Sequence, residues 1–322
     1  MASTSIVILD AGTLGRKANL GSLRSLGDLT IYGTTAPSQL RERIKTAHVV
    51  VTNKVSLCAG DIHSAQSLSL IVVTASIADK VDVDEAKRRN ITVHTIQGYA
   101  TESVAQFTIC LMLHLACRLR YFTRYVESSA YSKQPHFAHV GDGFSSLGGK
   151  RVGIIGLGAI GLRVAELSQA FGAHIAYFSP TSRNNSTSFD RVSFPELLSH
   201  SDIVSIHAPR SATTDNLIDI RALRRMKHHA LLINTGRGGI INESDLAQAL
   251  SQGLIGGAAL DVFEKEPLPL DSPLLDSALR NKLLLTPHCA WGGDDAQARL
   301  GTMVHDIVSG HMRDSAATNM GV

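Results

Sequence analysis

The sequence offers little for a disulfide, a membrane or a polyanion to work with. Its four cysteines (Cys58, Cys110, Cys117 and Cys289) include no C-x-x-C pair. That fits free or buried thiols in a reducing compartment and excludes a disulfide-framed module. The most apolar helical stretch, "SVAQFTICLMLHLACRLR", contains Gln106 and His114 and is shorter than a membrane span needs. Charge is sparse and nearly balanced, with 18% charged residues and a formal net charge of +3. The densest basic stretch, "RALRRMKHH" (221–229), has no interleaved aromatics. It reads as a solvated helix end whose cations complement the helix dipole, not as a nucleic-acid footprint. The opening "MASTSIVILD" has no basic region ahead of a long apolar stretch, so no signal peptide is expected. Together these features predict a cytoplasmic protein with no membrane, nucleic-acid or metal partner.

What is present is a globular composition, 44% hydrophobic over 322 residues, enough for two domains. Short β-branched runs alternate with helical patterns. The first half supplies "SIVILD" (5–10), "LTIYG" (29–33), "HVVVTN" (48–53), "LSLIVVTA" (68–75) and "ITVHT" (91–95). The second supplies "KRVGIIG" (150–156), "AHIAYFS" (173–179), "DIVSIHA" (202–208), "HALLINT" (229–235), "GGAALDV" (256–262) and "KLLLTPH" (282–288). Apolar strands spaced by helices predict an α/β protein with two doubly wound parallel-sheet domains. A helix of about 20 residues from Thr101 would span about 30 Å and lead from one domain to the next. A return of the chain after His288 would make the first domain discontinuous, 1–98 with 290–322 around 99–289.

"GIIGLGAIG" places Gly156, Gly158 and Gly161 in G-x-G-x-x-G spacing between an apolar strand and a helical pattern. The glycines permit a tight turn, close approach of a pyrophosphate and helix–strand packing, while the Ala159 and Ile160 amides point at phosphate. A carboxylate about 20 residues on would select NAD. Here Ser179 ends the next strand, Arg183 follows, and no acid occurs before Asp190. Serine and arginine can donate to a 2′-phosphate, so the cofactor is expected to be NAD(P), with NADP(H) favoured over NAD(H).

Three consecutive apolar runs end in chemically capable groups. "INTGR" ends in Arg237, "LDVFEKEP" contains Glu266, and "LLLTPH" ends in His288. Ligands gather at the carboxyl ends of strands in such sheets. Together with "SVAQFTICLML", "LGGKRVGIIGLGAIG", "IVSIHAP", "INTGRGGIINESDLAQAL", "GGAALDVFEKEPLP" and "LLLTPHCAW", they carry a resemblance over nearly the full length. The chain resembles the D-isomer-specific 2-hydroxyacid dehydrogenases, and on "SVAQ" and "TPHCAW" their glycerate dehydrogenase and hydroxypyruvate reductase branch.

The resemblance implies a Rossmann cofactor domain, a flavodoxin-like substrate domain and a homodimer formed through the cofactor domain. Its interface would use the helix from Thr101 and the segment to about Phe144. Arg237 would hold the carboxylate and carbonyl oxygen of a small 2-oxo acid, and His288 would act as general acid and base. Glu266 would pair with His288 and favour its imidazolium. His207, Ala208 and Pro209 match a loop beside the cofactor, Thr235 and Gly236 its nicotinamide end, and Asp261 an acceptor for the carboxamide. Ser76 and Ile77 fall where the family carries a glycine-containing substrate turn, here "TASIADKVD" (74–82), and Trp291 would wall the pocket. Alternative readings are a D-lactate or phosphoglycerate dehydrogenase, or a dinucleotide-sensing binding protein.

Overall fold

The computed structural model describes residues 3–181 and 186–319. Arg183, expected beside a 2′-phosphate, lies outside the described residues. The chain divides into two compact units, Met1–Ala100 with Gly292–Val322, and Thr101–Trp291.

The first unit contains β1 (Ser5–Ile8), β2 (Asp28–Ile31), β3 (Val49–Thr52), β4 (Leu70–Val73) and β5 (Thr92–Thr95). Among the described residues they form one parallel sheet in the order β2-β1-β3-β4-β5, a flavodoxin-like winding. The central "VVVT" and "LIVV" runs are buried at every position, as strands covered on both faces must be. Edge strand β5 alternates exposed and half-buried positions instead. The C-terminal helix Asp294–Asn319 belongs to this unit. Gln297 accepts from the Gly15 amide at 3.0 Å, and a Cβ on Gly301 would sit 1.7 Å from the Ala18 carbonyl. Only glycine allows that helix to approach so closely.

The second unit contains β6 (Arg151–Ile155), β7 (His174–Phe178), β8 (Asp190–Arg191), β9 (Ile203–Ile206), β10 (Leu231–Asn234), β11 (Gly257–Leu260) and β12 (Leu283–Leu285). Their parallel order, β12-β11-β10-β9-β6-β7-β8, reverses direction at β6. Alternate residues feed two cores on opposite faces of the sheet. Ile155, Val204, Leu232 and Leu260 join one, while Ile154, Ile203, Ile233 and Ala259 join the other. Helix Thr101–Ala116 lies in the second core, where Ala105, Ile109 and Met112 pack with Val164 and Ala165 of helix Ala159–Ala170.

Two expectations need correction. The helix from Thr101 runs 16 residues, not about 20. It stops because Arg118 turns left-handed at φ 51°, its guanidinium donating to the Gly143 carbonyl and pairing with Asp142. Strand β8 was not expected, since two residues carry no readable alternation.

Candidate active site

The site builds from contacts that cross the carboxyl ends of β6, β9, β10, β11 and β12. Gly156 turns out of β6 at φ 89°, and a Cβ there would lie 2.7 Å from the Ala208 amide nitrogen. The glycine turn therefore abuts the His207–Pro209 segment after β9. Gly161 is equally constrained, with a Cβ falling 2.2 Å from the Gly156 carbonyl. Gly158, capping helix Ala159–Ala170, differs: a Cβ there meets nothing within 4 Å. The first and third glycines serve packing, and the second leaves the backbone open before a helix N-terminus, with Ala159 and Ile160 in its first turn.

Next along the row, a Cβ on Gly236 would lie 3.1 Å from the Ile206 carbonyl and 3.4 Å from that of Ala208. Asn234 shapes this turn from inside, its amide nitrogen donating to the Arg237 carbonyl at 2.9 Å and its oxygen accepting from the Gly236 amide at 3.0 Å. Thr235 is buried, with its hydroxyl 2.8 Å from that of Thr108. Arg237 is half-buried, and its guanidinium donates to the Gly236 carbonyl at 2.8 Å.

Gly238 joins this turn to the loop after β11. A Cβ on it would sit 1.7 Å from the Phe263 carbonyl oxygen, so only glycine fits. The Phe263 amide donates to Glu266 Oε1 at 2.9 Å, and Glu266 Oε2 lies 2.7 Å from His288 Nδ1. Arg237, Glu266 and His288 thus follow three adjacent strands and are linked by packing and hydrogen bonds. With Nδ1 held by Glu266, Nε2 is the His288 nitrogen that can exchange a proton with a ligand.

His288 itself is left-handed, at φ 52°. Asp261 holds the turn that imposes this. Its fully buried carboxylate accepts from the Thr286 hydroxyl at 2.6 Å, the Cys289 amide at 3.0 Å and the Ala290 amide at 2.9 Å. Both oxygens of the Asp261 carboxylate are thereby engaged by donors of this turn. Trp291 is half-buried, and its indole donates to the His288 carbonyl at 2.8 Å, fastening the same turn. Burial and the nearby Asp261 charge push the Cys289 thiol up to about 11.

His207 is half-buried, Nε2 lying 2.8 Å from the Ser205 hydroxyl, and burial pushes its pKa down to about 3, so the ring is neutral. Ser179 is 4% exposed, leaving little hydroxyl for a phosphate. In the first unit, Ser76 and Ile77 follow β4, with the Ser76 carbonyl accepting from Gln97. Ile77 is exposed and outside the left-handed region, so replacing the family's glycine imposes no backbone strain. Sequence reasoning missed Asn234, Thr286 and Glu243. The polar residue ending an otherwise apolar run was the available signal for Asn234.

A model of the D-isomer specific 2-hydroxyacid dehydrogenase NAD binding domain matches residues 109–290. The chain belongs to the D-isomer-specific 2-hydroxyacid dehydrogenase family. This family member is 34% identical over 275 residues to a glycerate dehydrogenase of Methylorubrum extorquens, covering 85% of this chain and 86% of that one. It is 31% identical over 303 residues to a hydroxypyruvate reductase of Blautia hydrogenotrophica, covering 92% of each. An acyclic imino acid reductase solved with NADPH and D-Arg superposes with a TM-score of 0.83 at 25% identity, covering 97% of this chain and 98% of that one. The protein is accordingly a 2-hydroxyacid dehydrogenase that uses a nicotinamide dinucleotide. The residues fit that cofactor: the space above Gly158 is what a pyrophosphate needs and what a side chain would remove. Among the described residues, no helix is long and apolar enough to cross a membrane, and no cluster of three or more potential ligands is placed to hold a metal.

Proposed function

We propose that this dehydrogenase reduces hydroxypyruvate to D-glycerate, or glyoxylate to glycolate, and catalyses the reverse oxidation, with NADP(H) preferred. The observation that carries the reading is the 2.7 Å His288–Glu266 pair, on a loop against which the Arg237 turn is packed. A 2-oxo acid is a planar anion, and the guanidinium fork of Arg237 matches its carboxylate and carbonyl oxygens. Gly156, Gly158 and the first turn of helix Ala159–Ala170 would hold the dinucleotide, which would supply or accept the hydride when bound. As charge grows on the carbonyl oxygen, His288 Nε2 gives it a proton, and Glu266 stabilises the imidazolium beforehand. In oxidation the same nitrogen takes the proton back. The unit Thr101–Trp291 is the cofactor domain in this reading.

The NADP preference is supported by the absence of any carboxylate from Ser179 to Phe189. A homodimer is supported by seven exposed large apolar residues in one segment, Leu119, Tyr121, Val126, Tyr131, Phe137, Val140 and Phe144. Helix Thr101–Ala116 is less suited to that interface, since it buries Val104, Ile109, Leu111 and Met112 within its own unit. The test is a kinetic matrix of NADPH and NADH against hydroxypyruvate, glyoxylate, pyruvate and a bulky 2-oxo acid. The expected ranking has NADPH with the two small polar acids first. A faster rate with NADH refutes the cofactor preference, and no turnover with any acid refutes the activity.

A further inference from the structure

We propose that Glu243 is a positioning residue for the His288–Glu266 pair, tethering the loop that carries Glu266. The proposal rests on the acid–base role given to that pair above.

Glu243 opens helix Glu243–Ser251 but does not cap it, because Asn242 accepts the Asp245 amide at 3.0 Å. Its own carboxylate Oε1 instead accepts from the Glu264 amide at 2.7 Å, across 21 residues of sequence. Consecutive amides of the loop are therefore held by two different carboxylates: Phe263 by Glu266, and Glu264 by Glu243. The Phe263 carbonyl is at the same time pressed against Gly238. The loop is fixed from the Arg237 turn, from the helix and from His288, so Glu266 has little freedom to leave Nδ1.

A glutamine at position 243 keeps an acceptor for the Glu264 amide, whereas an alanine removes it.

The experiment compares pH profiles of kcat/KM for hydroxypyruvate reduction in wild type, Glu243→Gln, Glu243→Ala and Glu266→Gln. Thermal melting and the emission of the single tryptophan, Trp291, report folding at the site. Glu243→Ala should show a plateau about tenfold lower, as the loop loosens, and Glu243→Gln, which keeps the acceptor, should restore it to within about threefold of wild type. An undiminished Glu243→Ala plateau overturns the proposal, as does a Glu243→Gln plateau as low as the alanine variant's. If Glu266→Gln changes the profile while Glu243→Ala does not, only this proposal fails. If the Glu266→Gln profile superimposes on wild type, the acid–base reading fails with it.

Discussion

Replacing Gly238 by alanine tests whether the Arg237 turn and the Glu266 loop work as one unit. The added Cβ would lie 1.7 Å from the Phe263 carbonyl oxygen, 2.1 Å from its carbon and 2.7 Å from the Glu264 amide nitrogen. All three atoms are backbone, so no side chain can swing away. Reaching an ordinary contact of 3.4 Å requires the two segments to separate by about 1.7 Å. The Phe263 amide donates to Glu266 and the Glu266 carboxylate holds His288, so that separation displaces the proton donor relative to Arg237. A misplacement of about 1 Å costs on the order of a hundredfold in rate, and overpacking costs about 1–3 kcal/mol of stability. Steady-state reduction should therefore show kcat reduced at least about a hundredfold. A melting transition would still be present but lowered, and dinucleotide binding at the separate Gly158 turn retained. Wild-type activity with unchanged melting would refute the close-packing argument.

Other outcomes follow from the same geometry. Gly158→Ala adds a Cβ that meets nothing in the protein, so melting should be unchanged while dinucleotide affinity, read by fluorescence titration, falls by about tenfold or more. Cys289 is exposed beside His288, yet its thiol is pushed up to about 11. Mass-spectrometric mapping near neutral pH should find it alkylated roughly a hundredfold more slowly than an unperturbed thiol; labelling as fast as at exposed Cys110 would contradict this. Burial pushes Asp202 up, but Lys227, the Arg151 amide and His229 outweigh that and hold its carboxyl at about 2. A carboxyl depressed on folding stabilises above its unfolded value and loses that contribution as pH falls toward about 2. Asp202→Asn should therefore lower stability by about 2 kcal/mol at neutral pH, and the difference from wild type should shrink between about pH 4 and pH 2 in denaturant titrations.

The sheets were legible because their strands are unusually plain. Runs such as "VVVT" and "LIVV" are buried on both faces, and glycines or polar residues mark their ends. Eleven strands were readable in this way; β8, paired with β7 over two residues, was too short to leave a pattern. The three catalytic candidates could be picked out because each follows an apolar run, a one-dimensional feature. What was not legible depends on contacts between segments far apart in the chain. Asp261 too ends a strand, but nothing in the sequence signals its hold on Thr286, Cys289 and Ala290. Glu243 looked like an ordinary first-turn acid, since nothing near it in sequence signals the Glu264 amide. Gly238 and Gly239 were indistinguishable on paper. In the fold one is required by the Phe263 carbonyl and the other by φ 78°.

The most direct test is His288→Ala, assayed for hydroxypyruvate reduction and, separately, for NADPH binding. A lost general acid should lower kcat by roughly two to four orders of magnitude. Dinucleotide affinity should stay within about threefold of wild type, because the Gly158 cradle and the glycines that shape it are untouched. Reduction at the wild-type rate with NADPH binding intact would show that His288 is not the proton donor and would contradict the account at its centre.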